Sequence, residues 1–284
     1  QYGKLNICIC NNCGHRFLNP RKSDKYFKDY YMKQYRKIAF GTFKPSKYYI
    51  AEQQKRSLGV LNFLKNKLIK GNFLDHGCAS GATMIPWKEK GWNVYGIDPH
   101  FPSVLVGKKD FSLDIHHAFG ENLPHKSNFF TTVMSLGSLE HSYNINKSLK
   151  EIYRVMVENG KLIIRWRTDK ISGSPYEYYN HNHFRYFTRQ TWRSILNKHG
   201  FKILQYIDKK LEKYHTYEYI LAEKIATKIK KIRYRSPLAK YLISENIKEE
   251  NNYSNFFNEY SKHKKITMKN LDKIIKKYKK KNLN

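Results

Sequence analysis

The sequence is poor in acidic residues and contains no long apolar run. Its 284 residues include 23 Asp and Glu against 54 Lys and Arg, a formal net charge of +31. Such an excess favours anionic partners, although a coding bias towards lysine explains it equally well. No apolar stretch approaches the ~18–20 residues of a membrane-spanning helix, so a transmembrane segment is not expected.

Cysteine is also scarce, and a signal peptide is not recognisable. Three of the four cysteines fall within residues 8–13, which does not resemble a disulfide framework. These features predict a reducing, cytoplasmic location. Because the chain starts with Gln1 and not with Met, we expect that it derives from a longer sequence.

The pattern of apolar residues divides the chain into four parts. Strand-like and helix-like stretches alternate from residue 71, which predicts an α/β fold with a doubly wound parallel sheet. The predicted parts are a Cys-rich lead-in (1–22), a helical and aromatic region (23–70), the α/β domain (71–222) and a basic helical extension (223–284). The extension carries an apolar stripe of Leu271, Ile274, Ile275 and Tyr278.

A turn rich in small residues is the most informative motif. Residues 73–81 read Phe-Leu-Asp-His-Gly-Cys-Ala-Ser-Gly, so a strand runs into a tight turn and then into the free N–H groups of a helix. Asp98 closes the next strand, where a ribose-binding carboxylate belongs in a βαβ nucleotide site. The motif therefore favours a nucleoside cofactor.

Two cofactors compete for this turn. A dinucleotide requires G-x-G-x-x-G, of which Gly77, Ala79 and Ala82 retain only a degraded version, and it would place Asp75 beside a pyrophosphate. S-adenosylmethionine (SAM) carries an ammonium group that suits an acid at Asp75.

Residues 71–207 resemble the class I SAM-dependent methyltransferases. The resemblance rests on six stretches in the family's order, at residues 73–81, 94–99, 120–124, 139–141, 154–160 and 186–201. It implies a Rossmann-like sheet of seven strands with SAM across their carboxyl ends. Asp98 would hold the ribose, Gly120 and Glu121 the adenine, while Leu136 and Gly137 would border the methyl group. The predicted cofactor-binding residues are Asp75, Gly77, Cys78, Ala79, Ser80, Gly81, Asp98, Pro99, Gly120, Glu121, Leu136 and Gly137.

The sequence departs from the family at four positions. Ala79 replaces the usual middle glycine, and Phe119 stands where an Asp often contacts the adenine amine. Thr131 replaces a common Asp in the fourth predicted strand, and Asn159 replaces a glycine of the usual glycine pair. These changes keep open the alternative of a degenerate fold that acts as a binding module.

Candidates for acid–base chemistry follow the fourth and fifth predicted strands. Transfer to a hydroxyl benefits from a base that titrates near neutrality, which favours histidine. The predicted catalytic residues are His183, His141 and Glu140. Three arginines at the same edge, Arg165, Arg167 and Arg185, fit a phosphate or carboxylate of the acceptor. An aromatic loop is expected to shape the acceptor pocket with Tyr176, Tyr178, Tyr179 and His181.

The cysteine lead-in contains one C-x-x-C pair, Cys10 and Cys13. It resembles the second half of a zinc ribbon, as found before methyltransferase domains linked to polysaccharide or modified-sugar biosynthesis. A closed zinc site needs four ligands, so we expect zinc only in a longer chain.

The predicted function is O-methylation of a small molecule or sugar precursor, with SAM as cofactor. An RNA methyltransferase is the alternative that the net charge favours, but no RNA-binding module is recognisable.

Overall fold

The computed structural model describes residues 7–10, 13–41, 44–168, 183, 185–207 and 217–226. Within these residues the strands are β1 Ile7–Ile9, β2 Arg16–Leu18, β3 Asn72–His76, β4 Asn93–Asp98, β5 Asp114–His117, β6 Phe130–Leu136, β7 Met156–Arg167, β8 Arg185–Tyr186, β9 Phe201–Ile207 and β10 Tyr217–Lys224. The α-helices are α1 Asp24–Lys33, α2 Tyr35–Phe40, α3 Lys47–Leu64, α4 Ile85–Glu89, α5 Phe101–Phe111, α6 Ile145–Val155 and α7 Arg189–Lys198. Short 3-10 turns lie at Lys65–Lys67, Ala82–Met84 and Leu139–His141.

Seven strands form the central sheet, in the order β5-β4-β3-β6-β7-β10-β9. Strands β3 to β7 are mutually parallel, which confirms the predicted α/β Rossmann-like sheet of seven strands. The sheet is mixed and not wholly parallel, because β10 runs antiparallel to β7 and β9. Only nine residues separate β9 from β10, fewer than the dozen or more that a parallel crossover needs.

Helices cover both faces of this sheet, as expected of a doubly wound fold. On one face, α6 and α7 bury Leu149, Ile152 and Trp192 against the strands. On the other face, α3 and α4 bury Val60 and Trp87. Because both faces are covered, the carboxyl ends of the strands form the exposed edge at which a ligand can bind.

The N-terminal residues add a small second sheet that the sequence did not predict. Strands β1 and β2 form a hairpin, and β2 also pairs with β8. Leu18, Phe27 and Tyr186 are buried together where α1 packs on this sheet. Ser23 caps α1, because its Oγ accepts a hydrogen bond from Tyr26 N at 3.2 Å.

Two local features differ from what the sequence pattern suggests. Asn159-Gly160 has the composition of a helix end, but α6 ends at Val155 and β7 already pairs with β6 at Met156. Asn159, at a φ of 60°, lies inside β7, where the register with β6 shifts. Helix α5 was not predicted at all, since its residues carry little amphipathic pattern.

Several predicted features lie outside the described residues. They are the aromatic loop (Tyr176, Tyr178, Tyr179 and His181) and the extension beyond residue 226 with its stripe. Among the helices that the structure describes, none combines the length and the hydropathy of a membrane span.

Candidate functional site

A cavity of about 190 Å³ lies at the carboxyl ends of β3, β4 and β6. The turn after β3, the end of β4 and the loops after β5 and β6 form its wall, and α1, α2 and α3 close it from the N-terminal side. The predicted cofactor-binding residues on its lining are Asp75, Gly77, Cys78, Ala79, Ser80, Asp98, Pro99, Gly120, Glu121, Leu136 and Gly137.

The turn after β3 is held tightly against β4. The backbone N–H groups of Gly77 and Cys78 both donate to the carbonyl of Ile97, at 2.9 and 3.0 Å. Gly77 has a φ of 84°, and a Cβ there would collide with Ser138, so the position requires glycine. Ala79 also adopts a positive φ of 53°. This backbone path leaves space beside the turn for a ligand.

Asp98, the last residue of β4, connects this strand to the turn after β3. Its carboxylate accepts hydrogen bonds from Ala79 N and His100 N, both at 2.8 Å, and its side chain is buried. Burial raises the pKa of Asp98, while Arg36 opposes that shift. A carboxylate has about four acceptor positions, so two remain for the hydroxyl groups of a ligand.

Asp75 is buried deeper in the same wall. Its carboxylate accepts a hydrogen bond from the Thr83 hydroxyl. Burial raises the pKa of Asp75 to about 7, with a smaller contribution from the negative charge of Asp98. A buried carboxyl group of this kind is stabilised in its charged form by a cationic ligand group.

Gly81 differs from the other predicted cofactor residues, because it does not line the cavity. Its φ is 76°, and a Cβ there would lie 2.6 Å from Leu113 and 2.8 Å from Ile115. Glycine is therefore required at this position by packing against β5 and by the backbone conformation.

The loop after β5 contacts the cavity through Phe119, Gly120 and Glu121. A Cβ on Gly120 would collide with Nε2 of His76, so the loop can cross β3 only with glycine there. Burial lowers the pKa of His76 to about 4, which keeps its ring neutral. The Glu121 carboxylate accepts a hydrogen bond from Asn144 N at 3.0 Å, so it also holds the start of α6.

The predicted catalytic residues separate into two positions. His141 lines the main cavity, whereas His183 and Glu140 line a smaller pocket of about 20 Å³ behind it. The two histidine rings contact each other, with their centroids 4.8 Å apart. Burial raises the pKa of Glu140, which favours its neutral form.

Tyr31 of α1 approaches His141 from the N-terminal side. Its hydroxyl oxygen lies 3.1 Å from Nδ1 of His141. Burial raises the pKa of Tyr31 well above its usual value, so the hydroxyl stays protonated. Apart from the helical spacing of the tyrosines in α1, no sequence pattern predicts this contact.

The three predicted anion-binding arginines are engaged within the fold. Arg185 donates to the carbonyls of Ser142 and Tyr143, at 2.5 and 2.8 Å. Arg165 is buried with its guanidinium 3.5 Å from the centre of the Tyr217 ring. None of these three arginines lines the main cavity.

The predicted zinc ligands receive no support from the described part of the chain, where no group of three or more potential ligands is arranged around a common point. Cys10 and Cys13 lie between β1 and β2 of the hairpin and form no disulfide. Gly14 N donates to the carbonyl of Cys10 at 2.8 Å, which closes the turn between β1 and β2.

The described part of the cavity wall has more acidic than basic side chains, the reverse of the chain as a whole. Among the described residues, four carboxyl groups line it, on Asp24, Asp75, Asp98 and Glu121. The lysines and arginines among its lining residues are Lys28 and Arg36. In a chain of net charge +31, a wall of this composition favours a ligand that carries positive charge.

Comparison with known proteins agrees with this geometry. The family described as a methyltransferase domain matches residues 74–164. No curated protein sequence gave a significant match.

Solved structures of SAM-dependent methyltransferases share the fold. One from Clostridium acetobutylicum has a TM-score of 0.53 and 14% identity, covering 68% of this chain and 96% of its own. One from Methanosarcina mazei has a TM-score of 0.52 and 17% identity, covering 58% and 98%. One from Aquifex aeolicus has a TM-score of 0.50 and 15% identity, covering 64% and 100%. Residues 74–164 therefore match a methyltransferase domain, and the sheet that contains them has the fold seen in solved SAM-dependent methyltransferases.

Proposed function

We propose that this protein transfers the methyl group of SAM to a hydroxyl group of a small molecule or sugar precursor. The observation that carries the proposal is the acidic lining of a cavity at the carboxyl ends of the strands. SAM carries a sulfonium and an ammonium group, and both are complementary to such a wall.

The residues present fit this cofactor. Asp98 would accept the ribose hydroxyls, and Asp75 would pair with the ammonium group. A Cβ on Gly137 would meet nothing nearer than 3.6 Å, so the wall stays open beside Leu136, where the methyl group is expected. Bound SAM supplies a methyl group on a cationic sulfur, which a nucleophilic oxygen can attack in line.

The protein's own contribution is to position the acceptor and to remove its proton. Positioning accounts for much of the rate enhancement in reactions between two bound reactants. We assign the general base to His141, because it lines the cavity together with Leu136 and Gly137, whereas His183 does not. If Nδ1–H of His141 donates to the Tyr31 oxygen, Nε2 is left unprotonated to accept the acceptor's proton.

Aromatic rings favour a small acceptor over RNA. Phe27, Tyr31 and Tyr143 line the cavity near His141, and rings of this kind stack on sugars and flat molecules. The four carboxyl groups of the wall would repel a phosphodiester backbone.

A degenerate fold that only binds a ligand would lack transfer activity but retain the cofactor site, so binding and transfer are tested separately.

Asp98→Ala tests the cofactor assignment. We expect the variant to bind SAM more weakly by about 1–3 kcal/mol, because the ribose hydroxyls lose their acceptor. Isothermal titration calorimetry on the full chain measures this loss. Asp114→Asn, an exposed change at the start of β5, is the matched control and should bind SAM normally. Unchanged affinity in folded Asp98→Ala would remove the basis of the assignment.

His141→Ala tests the base. Once a panel of sugar and phenolic hydroxyl compounds has yielded an acceptor with labelled SAM, we expect turnover to fall about 10²–10⁴-fold. SAM affinity should remain nearly intact. His183→Ala should lose less turnover, because its ring contacts His141 and not the main cavity. Full activity in His141→Ala, or a joint loss of binding and turnover, would contradict a role as base.

A further inference from the structure

The proposed function assigns no role to Arg36, a cationic side chain in the cavity wall. Arg36 belongs to the short helix α2, outside the residues that match the methyltransferase domain. The other basic side chain of the described lining, Lys28, is half-exposed and forms an ion pair with Asp24 at 2.6 Å. Arg36 is the second basic side chain of the described lining, and its charge interacts with the carboxylate of Asp98.

Two tyrosines hold the Arg36 guanidinium in place. Its Nη1 donates a hydrogen bond to the Tyr49 hydroxyl at 3.2 Å. Its central carbon lies 5.9 Å from the Tyr35 ring centre and 5.6 Å from the Tyr49 ring centre. Both tyrosines line the cavity as well. Such contacts restrict the rotamers of the arginine and so lower the entropy lost when it binds an anion.

Helix α3, which carries Tyr49, is fixed to the turn after β3. Ser57 donates its hydroxyl hydrogen to the carbonyl of Thr83 at 2.6 Å, and Trp87 donates to Ser57 Oγ at 2.9 Å. Thr83 in turn donates to the carboxylate of Asp75. The helix that carries the anchor of Arg36 and the carboxylate of Asp75 are therefore both hydrogen-bonded to Thr83.

The proposed cofactor ends in an amino acid that carries both an ammonium and a carboxylate group. Asp75 is complementary to the ammonium but would repel the carboxylate. Asp98 already accepts two backbone N–H groups at 2.8 Å and is suited to hydroxyl donors. An arginine in the same wall is the side chain whose geometry matches a carboxylate, through two parallel N–H donors.

We propose that Arg36 binds the carboxylate of the cofactor's methionine, with Tyr49 holding the guanidinium in position. The inference rests on the proposed function, since it assumes that SAM occupies the cavity. It makes α2 and α3 part of the cofactor site. Asp75 and Arg36 together would then recognise both charges of the amino acid.

Two ligands that differ only in the carboxylate test this inference. Decarboxylated SAM retains the sulfonium, the ammonium and the adenosine. We expect Arg36→Gln to weaken SAM binding about 10- to 100-fold, as for the loss of a charge-assisted hydrogen bond. Binding of decarboxylated SAM should change by less than about twofold, because it has no group for Arg36. Calorimetry on the full chain, without any acceptor, measures all four affinities.

Matched variants separate the proposal from general effects. Lys37→Gln removes the same charge from an exposed position of α2 and should leave both ligands unaffected. Tyr49→Phe removes the hydroxyl that holds Arg36, so it should weaken SAM by a smaller factor and again spare decarboxylated SAM. If Arg36→Gln fails to fold, as judged by circular dichroism, the ligand selectivity of Tyr49→Phe decides the question.

The outcomes distinguish this inference from the proposed function. Equal losses for the two ligands would overturn it, since Arg36 would then act through Asp98 or the fold. Unchanged SAM binding in Arg36→Gln would overturn it as well. If the unmodified protein binds neither ligand, the cofactor assignment itself is wrong and the inference is lost with it.

Discussion

At the scale of single residues, burial gives Asp75 a chemistry that its sequence position does not show. In the sequence it is one acid before a glycine turn. In the fold it is 2% exposed, and burial raises the pKa of Asp75 to about 7, far from its usual 3.8. The folded protein therefore binds a proton at Asp75 between about pH 4 and pH 7 that the unfolded chain has released.

This difference predicts how stability depends on pH. Because the pKa of Asp75 is raised on folding, its contribution to stability is fully present below about pH 4 and is lost as the pH rises through about 7. Asp75→Asn cannot ionise, so we expect it to melt at least about 2–4 °C above the unmodified protein at pH 8. Melting curves recorded by circular dichroism at pH 5 and pH 8 measure the effect.

The pH comparison serves as the control within that experiment. At pH 5 the unfolded chain has released the proton of Asp75 while the folded protein still holds it, so the two proteins should differ in melting temperature by less than half as much as at pH 8. An equal difference at both pH values would show that Asn acts by packing and not through ionisation.

At the scale of elements, the turn between β3 and α4 combines two separate requirements for glycine. Gly77 is required where the turn faces the cavity, since a side chain would collide with Ser138. Gly81 is required where the turn faces the core, since a side chain would meet Leu113 and Ile115. From the sequence both glycines were expected to accommodate the cofactor.

Gly81→Val distinguishes these two requirements. We expect a loss of stability of about 1–3 kcal/mol, because valine at a positive φ is strained and its methyl groups overpack β5. SAM affinity of the folded fraction should be nearly unchanged. Chemical denaturation and calorimetry measure the two quantities.

Gly59→Val provides the control for that substitution. Its site in α3 has no heavy atom within 4 Å of a new Cβ, so the change should be nearly neutral. A stable Gly81→Val protein that has lost SAM binding would restore the original interpretation, in which this glycine accommodates the cofactor.

At the scale of the whole molecule, the end of β10 is hydrogen-bonded to neighbouring segments of the described fold. Lys224 donates to the carbonyl of Met156 at 2.7 Å. The N–H of Ile225 donates to the carbonyl of Gly200 at 2.9 Å, and Tyr153 donates to the carbonyl of Ile225 at 3.1 Å. These contacts hold the last described residues against the sheet.

Truncation after Ala226 should therefore leave a folded protein. We expect residues 1–226 to be soluble, to unfold cooperatively and to bind SAM with the affinity of the full chain. Circular dichroism and calorimetry test this. A truncated protein that aggregates or melts without a cooperative transition would show that the stripe of Leu271, Ile274, Ile275 and Tyr278 packs on the core.

Sequence patterns predict the parallel part of the sheet and much of the cavity wall. Strands β3 and β9 lie at the predicted residues, and the turn at 77–81 and the acid at Asp98 come together as expected. These features are encoded locally, because apolar runs, small residues at a turn and an acid after a strand act over a few residues.

Which distant side chains share the cavity follows only from the packing of the folded chain. Arg36, Tyr49 and Tyr31 reach it from helices that precede the sheet, and His141 lies on its wall while His183 lies behind. It also showed that Gly81 faces the core and that β10 runs antiparallel. Such contacts depend on how whole helices dock on the sheet, and docking is set by packing between residues far apart in the chain.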